Sequence, residues 1–199
     1  MAYSDFSLEK VKKNFALTIS DRMDMFSEVA EVECSALLTE NLRENVTLAL
    51  ASNTEKSRSE MIITPILIEL RKQLKYQIGL FSGIEFNVDP ERGLNGSCDF
   101  LISHSSELLL VSAPVIIIVE AKKENINAGL GQCVAEMLAA QIFNEREGNE
   151  IPAIYGAVTT GTIWKFLKLQ AQIIEIDLGE YYLNDVNKIV GILASVINN

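Results

Sequence analysis

The chain has 199 residues, which is enough for one domain with a full hydrophobic core. Hydrophobic residues make up 48% of it and charged residues 22%, a globular composition that argues against an intrinsically disordered protein. The formal net charge of −10 argues against unspecific nucleic-acid binding through a general basic field, but it leaves room for a local basic groove. The same charge suits a site that gathers carboxylates around a divalent cation.

Several classes of protein and site are disfavoured by what the sequence lacks. No apolar run has the length of a membrane span, and the first residues do not look like a signal peptide, so we expect no membrane association. Cys34, Cys98 and Cys133 are widely spaced, which favours a reducing, cytoplasmic location and argues against a zinc site. His104 is the only histidine, so catalytic triads and multi-histidine metal sites are disfavoured as well.

The N-terminal part is predicted to be helical. Ser7 is a suitable N-cap for a helix over 8–15, and Ser35 for a helix that ends at about Ser52. Between them, residues 16–34 are mixed in character, with apolar side chains available for packing, and they indicate no chemistry.

A third helix begins at Asn53 or Thr54 and carries a strong apolar face. Pro65 lies inside that pattern and predicts a kink or a new start there. Glu60 stands just before the apolar run and, taken alone, is typical of a solvated helix glutamate. The apolar face comprises Ile62, Ile63, Ile66, Leu67, Leu70 and Leu74.

Two strands follow, joined by a segment rich in turn-forming residues. The first is predicted over 81–88, the turn over 89–96, and the second strand over 98–102. Asp99 lies inside the second strand, where aspartate is disfavoured. An aspartate in such a place is usually hydrogen-bonded locally or holds a metal ion.

The most informative stretch is the unbroken β-branched run from Val115 to Val119. It predicts a strand buried on both faces at the centre of a sheet. The run ends at Glu120, Ala121 and Lys122, and strand alternation places Glu120 and Lys122 on one side, with Cα atoms about 7 Å apart. Charges that merely mark the end of a strand are the plain alternative to a functional pair.

The C-terminal half predicts one long helix, three strands and a last helix, which Asp185 caps. In the long helix, Gln132 and Glu136 are four residues apart and share a face. With no linker or repeat in view, we predict a single domain over 1–199, divided into an N-terminal helical segment 1–53 and a core 54–199. The predicted elements are the helix 128–146 and the strands 154–158, 163–169 and 173–176.

The order of these elements and the places of the acidic residues resemble the PD-(D/E)xK, or restriction-endonuclease-like, nuclease superfamily. The matching positions are Asp99 in the second core strand and Glu120-Ala121-Lys122 at the end of the third. Glu60 on the preceding helix and Gln132 on the following one fit accessory positions. The segments GLNGSCDF and APVIIIVEAKKENINAGLGQCVAEM are also similar to a group of small uncharacterised cyanobacterial members.

The chain departs from the superfamily pattern at two positions. Cys98 stands where the motif name has proline. The helix after the ExK motif has Gln132 followed by Glu136, where the RecB-like exonuclease branch has a QxxxY pattern.

The resemblance implies an α/β/α sandwich with a central mixed sheet and a metal-dependent nuclease that acts on DNA. It implies that Asp99, Glu120 and the backbone carbonyl of Ala121 hold Mg²⁺ or Mn²⁺. Lys122 would hold the attacking water and offset developing charge. Gln132 would orient that water or Lys122, and Glu60 would support a second ion or clamp Lys122.

Two other functions remain open from the sequence alone. A member of the same fold that has lost cleavage would act as a binding module for nucleic acid or protein, which the acidic net charge favours. Alternatively, Asp99, Glu120 and Lys122 would form a buried ion-pair cluster in a structural protein. A homodimer is also compatible with the sequence.

Overall fold

The computed structural model describes residues 1–198, along which groups of helices are followed by groups of strands. No helix in this range is long and apolar enough to cross a membrane. The helices are α1 (Leu8–Asn14), α2 (Ala36–Ser52), α3 (Glu55–Arg58), α4 (Thr64–Gln73), α5 (Ile126–Arg146) and α6 (Val186–Asn198). The strands are β1 (Thr18–Arg22), β2 (Gly79–Glu85), β3 (Ser97–Ser103), β4 (Val115–Ala121), β5 (Ile154–Thr159), β6 (Ile163–Gln170), β7 (Ile173–Asp177) and β8 (Tyr181–Tyr182).

The strand β4 lies inside the sheet, as its β-branched run predicts. All seven of its residues are buried. It pairs antiparallel with β3 and parallel with β5, so the prediction of a central strand is confirmed. The complete strand order is β1-β7-β6-β5-β4-β3-β2, with the short β8 paired to β6, which makes the sheet mixed.

Helices cover both faces of this sheet, and each face has its own hydrophobic core. On one face, α5 and α1 pack over side chains such as Ile118 and Val158. On the other face, α2, α4 and α6 pack over side chains such as Val119 and Phe166. The predicted mixed α/β class with a central mixed sheet is therefore present.

The helical stretch before β2 starts, and changes its helical geometry, where its sequence predicts. The Thr54 side chain accepts a hydrogen bond from the backbone N–H of Ser57 and caps α3. One π-helical turn over Ser59–Ile63 follows, and α4 begins at Thr64 with Pro65 in its first turn. Because proline lacks the N–H that an inner helical turn needs, the change in helix geometry falls just before it.

The N-terminal segment is not entirely helical, which corrects the prediction for 1–53. The caps Ser7 and Ser35 and their helices are confirmed. However, residues 16–34, to which no strand was assigned, contain β1, which pairs in parallel with β7 at the edge of the sheet. This strand escapes prediction because its sequence, TISDR, is short, polar and only partly buried.

Smaller differences concern strand boundaries. The strand β2 occupies Gly79–Glu85 and not 81–88, and Gly83 within it has a φ of +61°, which distorts its alternation. The two-residue strand β8 was not predicted, since so short a segment carries no periodic pattern. The helix α5 begins two residues before its predicted start, with the Asn125 side chain accepting from the backbone N–H of Ala128.

Candidate active site

The end of β4 presents a carboxylate and an ammonium group together. Val119 and Ala121 pack into the core beneath α4 and α6, whereas Glu120 and Lys122 face α5. The Lys122 Nζ donates a hydrogen bond to Glu120 Oε1. The Glu120 side chain is 1% exposed and that of Lys122 20%, so this ion pair is largely withdrawn from water. Strand alternation thus placed this pair correctly.

Asp99 joins this pair from the neighbouring strand. In the ladder between β3 and β4, Phe100 pairs with Val119, so Asp99 lies beside the end of β4. Asp99 Oδ2 accepts a hydrogen bond of 2.8 Å from the backbone N–H of Ala121. The negative charge of Asp99 is also close enough to raise the pKa of Glu120. The two acids predicted from separate strands therefore belong to one electrostatic site.

A chain of side-chain hydrogen bonds continues from this strand end onto α5. Lys122 Nζ donates to Gln132 Oε1 at 3.4 Å, and Gln132 Nε2 donates to Glu136 Oε1 at 3.1 Å. Gly129 lets the helix approach closely, because a Cβ there would lie 3.1 Å from Lys122 Cγ and 2.7 Å from Val158 Cγ1. Gln132 therefore reaches the site as predicted.

Burial and crowding of like charges alter the acidities of these groups. Burial raises the pKa of Glu120 to about 8, the charge of Asp99 adds to this, and Lys122 opposes it. Burial likewise raises the pKa of Glu136 well above its usual range, and the nearby charge of Glu120 adds to the effect. Burial alone would lower the pKa of Lys122, but contact with Glu120 outweighs it and holds that pKa above its ordinary value.

Two buried oxygen atoms of the site lack a hydrogen-bond partner. Among residues 1–198, both Glu120 Oε2 and Glu136 Oε2 are inaccessible and unpaired. Unpaired buried acceptors are uncommon and costly, which points to a role beyond the stability of the fold. A proton or a cation would satisfy either oxygen.

Glu60 lies at the border of the site and does not clamp Lys122. Its side chain is 60% exposed and forms an ion pair with Lys56 at 3.7 Å. It borders a cavity of about 330 Å³ that Asp99 and Glu55 also line. In this structure Glu60 therefore contacts Lys56 and not Lys122. Its position at the cavity beside Asp99 agrees with the prediction that it borders the site.

Two further acids belong to the site but were not among the predicted site residues. Glu136 is fully buried. Its burial could have been predicted from the sequence, since it shares a helical face with the apolar residues Cys133 and Ala140. Glu55 raises the pKa of Glu120 from the start of α3. It had no distinguishing signal, because a glutamate in the first turn of a helix is ordinary.

A ready-made metal centre is not present among the described residues. Within 1–198, no three His, Cys, Asp or Glu side chains are grouped so that they could hold a metal ion. One predicted ligand, Glu120, uses Oε1 to accept from Lys122, and another, Asp99, uses Oδ2 to accept from Ala121. Any cation would have to compete with these two hydrogen bonds.

Comparison with protein-family models, with curated proteins and with solved structures finds no match for this chain. The relationship to the PD-(D/E)xK superfamily therefore stays a prediction from the residues. The function has to be inferred from the chemistry of the site.

Proposed function

We propose that this protein is a divalent-metal-dependent nuclease that hydrolyses phosphodiester bonds in DNA. One observation carries the proposal: Asp99, Glu120 and Lys122 converge at the ends of two adjacent strands, β3 and β4. Two carboxylates and one ammonium group in a partly dry site are the groups that metal-assisted phosphodiester hydrolysis uses. Asp99 is also accessible, since it lines a cavity open to the surface.

We also propose that the fold is the restriction-endonuclease-like one. Support comes from the succession α4, β2, β3, β4, α5, β5 and from the adjacency of the four strands in the order β2-β3-β4-β5. The acidic residues fall at the matching places in that succession, with Asp99 in β3 and Glu120 at the end of β4.

The types of residue at this site are those that suit Mg²⁺ or Mn²⁺. The donor set consists of hard oxygen atoms, namely the carboxylates of Asp99 and Glu120 with the backbone carbonyl of Ala121. Glu120 Oε2 is buried without a partner, so a cation would satisfy it. When bound, such an ion acidifies a coordinated water and neutralises charge on the phosphate. Glu55 and Glu60, which line the adjacent cavity, add to the negative potential that attracts it.

Lys122 acts in this proposal as a hydrogen-bond donor and not as a general base. Its pKa is held above the ordinary value by Glu120, so the side chain stays protonated at neutral pH. An ammonium group in that state can hold the attacking water and offset charge that develops on the phosphate oxygens. Gln132 restrains the ammonium group from the helix side.

A second candidate function is a binding module for nucleic acid or protein that does not cleave. The ion pair between Lys122 and Glu120 favours it, because this pair satisfies one oxygen of a predicted metal ligand from within the chain. The absence of a three-ligand group from residues 1–198 points the same way.

Cleavage assays on supercoiled plasmid and single-stranded DNA with Mn²⁺ test the nuclease proposal. We expect cleavage by the wild type in Mn²⁺ or Mg²⁺, none with excess chelator, and loss of at least about two orders of magnitude in Lys122→Ala. Lys123→Ala is the matched control, since Lys123 is exposed and pairs with Glu124.

A parallel calorimetric titration with Mn²⁺ measures metal binding and separates the nuclease from the binding module and from the structural ion-pair cluster. Binding without cleavage of either substrate would favour the binding module. The absence of both binding and cleavage would leave only the structural ion-pair cluster. Cleavage that Lys122→Ala retains in full would show that a different site is responsible.

A further inference from the structure

Two Gln–Glu pairs of the same spacing lie on α5 and differ in what they touch. Gln132 donates to Glu136, and Gln141 donates to Glu145, each at 3.1 Å. The second pair lies at the surface, whereas Glu136 is fully buried. Only Gln132 also accepts a hydrogen bond from Lys122. The pair Gln141–Glu145 thus has the same spacing and hydrogen bond as Gln132–Glu136 but no contact with Lys122, so it can serve as an internal control.

The orientation of the Gln132 amide matters because its two ends differ in chemistry. The carbonyl end accepts hydrogen bonds and the NH₂ end donates them, while the Lys122 ammonium group can only donate. An amide rotated by half a turn would set donor against donor. Glu136 Oε1 accepts from the NH₂ end and so leaves the carbonyl oxygen to Lys122.

We propose that Glu136 is a positioning residue that holds the Gln132 amide in the one orientation in which it restrains the Lys122 ammonium group. The importance of this restraint for catalysis rests on the proposed nuclease function, but the hydrogen-bond chain itself does not. With Glu120 on one side and Gln132 on the other, the tip of Lys122 is held at the end of β4. Such outer supports commonly set the geometry of reactive groups.

The surroundings of Glu136 argue that packing alone does not explain it. Within residues 1–198, the hydrogen bond from Gln132 is the only one recorded for its side chain, and Oε2 has none. It lies in the hydrophobic core, near Cys98, Cys133 and Tyr3, each of which has a pKa that the charge of Glu136 raises. An apolar residue would usually be more stable in such a place than a carboxyl group with one partner.

The stem of Lys122 is already constrained, so the tip is what remains to be positioned. The stem lies against α5, because a Cβ at Gly129 would be 3.1 Å from Lys122 Cγ and 3.2 Å from Lys122 Cε. The ammonium group is still partly exposed, since the side chain is 20% accessible. The hydrogen bond to Gln132 therefore acts together with the ion pair to Glu120 in limiting how often the ammonium group turns toward solvent.

Competitive acylation of lysines tests this positioning role without any assay of DNA cleavage. A small activated ester is applied, and labelling of Lys122 is measured by peptide mass spectrometry relative to Lys123. Glu136→Met should raise the relative labelling of Lys122 about fivefold, the factor that one net hydrogen bond represents. Glu136→Gln should stay near the wild type, because its oxygen still accepts from Gln132. Glu145→Met is the matched control on the surface pair and should change nothing.

A second pair of variants keeps the test decisive if Glu136→Met folds poorly. Gln132→Met removes the amide itself and should raise the labelling of Lys122 to the same level. In the double variant that combines Gln132→Met with Glu136→Met, Lys122 should be labelled as strongly as in Gln132→Met alone, because Glu136 acts through Gln132. Unchanged labelling in Gln132→Met, or equal labelling in Glu136→Met and Glu136→Gln, would overturn the proposal.

If the wild type cleaves DNA, the same variants give a kinetic readout. Glu136→Met should lower kcat about tenfold with little change in KM, and Glu136→Gln should restore most of kcat. A wild type that cleaves no DNA would contradict the proposed nuclease function. The labelling of Lys122 would still decide whether Glu136 is a positioning residue. Equal loss of kcat in Glu136→Met and Glu145→Met would show a general effect of the helix and contradict the positioning role.

Discussion

The side chain of Asp99 accepts a hydrogen bond from the backbone N–H of Ala121 at 2.8 Å. This bond attaches a side chain of β3 to the last residue of β4, at the point where Glu120 and Lys122 begin to face α5. Asp99 is thus both a structural acceptor and a charge that raises the pKa of Glu120. The two roles can be separated by substitution.

Asp99→Asn should remove the charge and keep the hydrogen bond, because the amide oxygen can still accept from Ala121. We expect the metal-free variant to be as stable as the wild type or more stable by up to about 1 kcal/mol, since one like charge near Glu120 is lost. An increase in Tm with Mn²⁺, expected for the wild type, should disappear in the variant.

Scanning calorimetry with and without millimolar Mn²⁺ measures both effects. The control is Asp21→Asn. Asp21 is exposed and lies on β1, which forms the edge of the sheet opposite β2. A full Mn²⁺ response in Asp99→Asn would show that Asp99 is not a ligand.

The stability of the metal-free protein should fall as pH rises from weakly acidic to alkaline. Glu120 has a pKa raised to about 8 and Glu136 one raised well above its usual range, so the folded state holds protons that the unfolded state releases above about pH 4.3. For each such group the free energy of unfolding should fall by up to about 1.4 kcal/mol per pH unit in that window.

Denaturant titrations at several pH values, from weakly acidic to the alkaline end of this window, measure how the free energy of unfolding changes with pH. Glu136→Gln should make this pH dependence less steep, because a neutral side chain releases no proton and only the contribution of Glu120 remains. Glu145→Gln, on the surface pair of the same helix, should keep the wild-type slope. A wild-type stability that increases steadily toward alkaline pH would contradict the assignment of these two acids.

Lys122→Met should destabilise the protein by leaving Glu120 buried without its cation. Because the pKa of Glu120 is already raised to about 8, this carboxyl group is largely protonated at neutral pH, and we expect a loss of no more than about 1 kcal/mol there, well below the full cost of an unpaired buried charge. The loss should grow as pH rises, since the pKa of Glu120 increases further. Urea unfolding of Lys122→Met beside Lys123→Met measures it, and an equal effect of the two substitutions would argue against the ion pair.

Gly129→Ala should disturb the site without changing any charge. The added Cβ would lie 2.7 Å from Val158 Cγ1 and 3.1 Å from Lys122 Cγ, so α5 or Lys122 must move. We expect a loss of about 1–3 kcal/mol from overpacking, together with a shift in the Lys122 side-chain resonances. Two-dimensional NMR of the lysine methylenes, with Ala128→Gly as a control on the exposed turn before it, would show whether the shift is specific to Lys122.

Much of the local structure could be predicted because it depends on neighbouring residues. The apolar run of β4 is buried whatever lies around it, and strand alternation puts Glu120 and Lys122 on one side by geometry alone. The caps at Ser7, Ser35 and Thr54 follow from the same kind of short-range rule.

The partners within the site were decided only by the tertiary structure. Glu60 and Glu55 are both helix glutamates near the N-terminal end of one helical stretch. The spacing of four residues accounts for the pair between Lys56 and Glu60, but nothing local tells that Glu55 acts on Glu120. Nor does spacing predict that Asp99 accepts from Ala121, since that depends on the register between β3 and β4.

The sequence by itself determined which residues could form a site, namely Asp99, Glu120, Lys122 and Gln132, because their types and their places on elements are local properties. The shared face of Gln132 and Glu136 is local too, but only the tertiary structure decided that their hydrogen-bond chain reaches Lys122 and that Glu136 Oε2 is left unpaired, since both depend on the packing of α5 on the sheet. The physical reason is range: alternation and helical periodicity act over a few residues, whereas desolvation and pairing of charges depend on every element that packs around them.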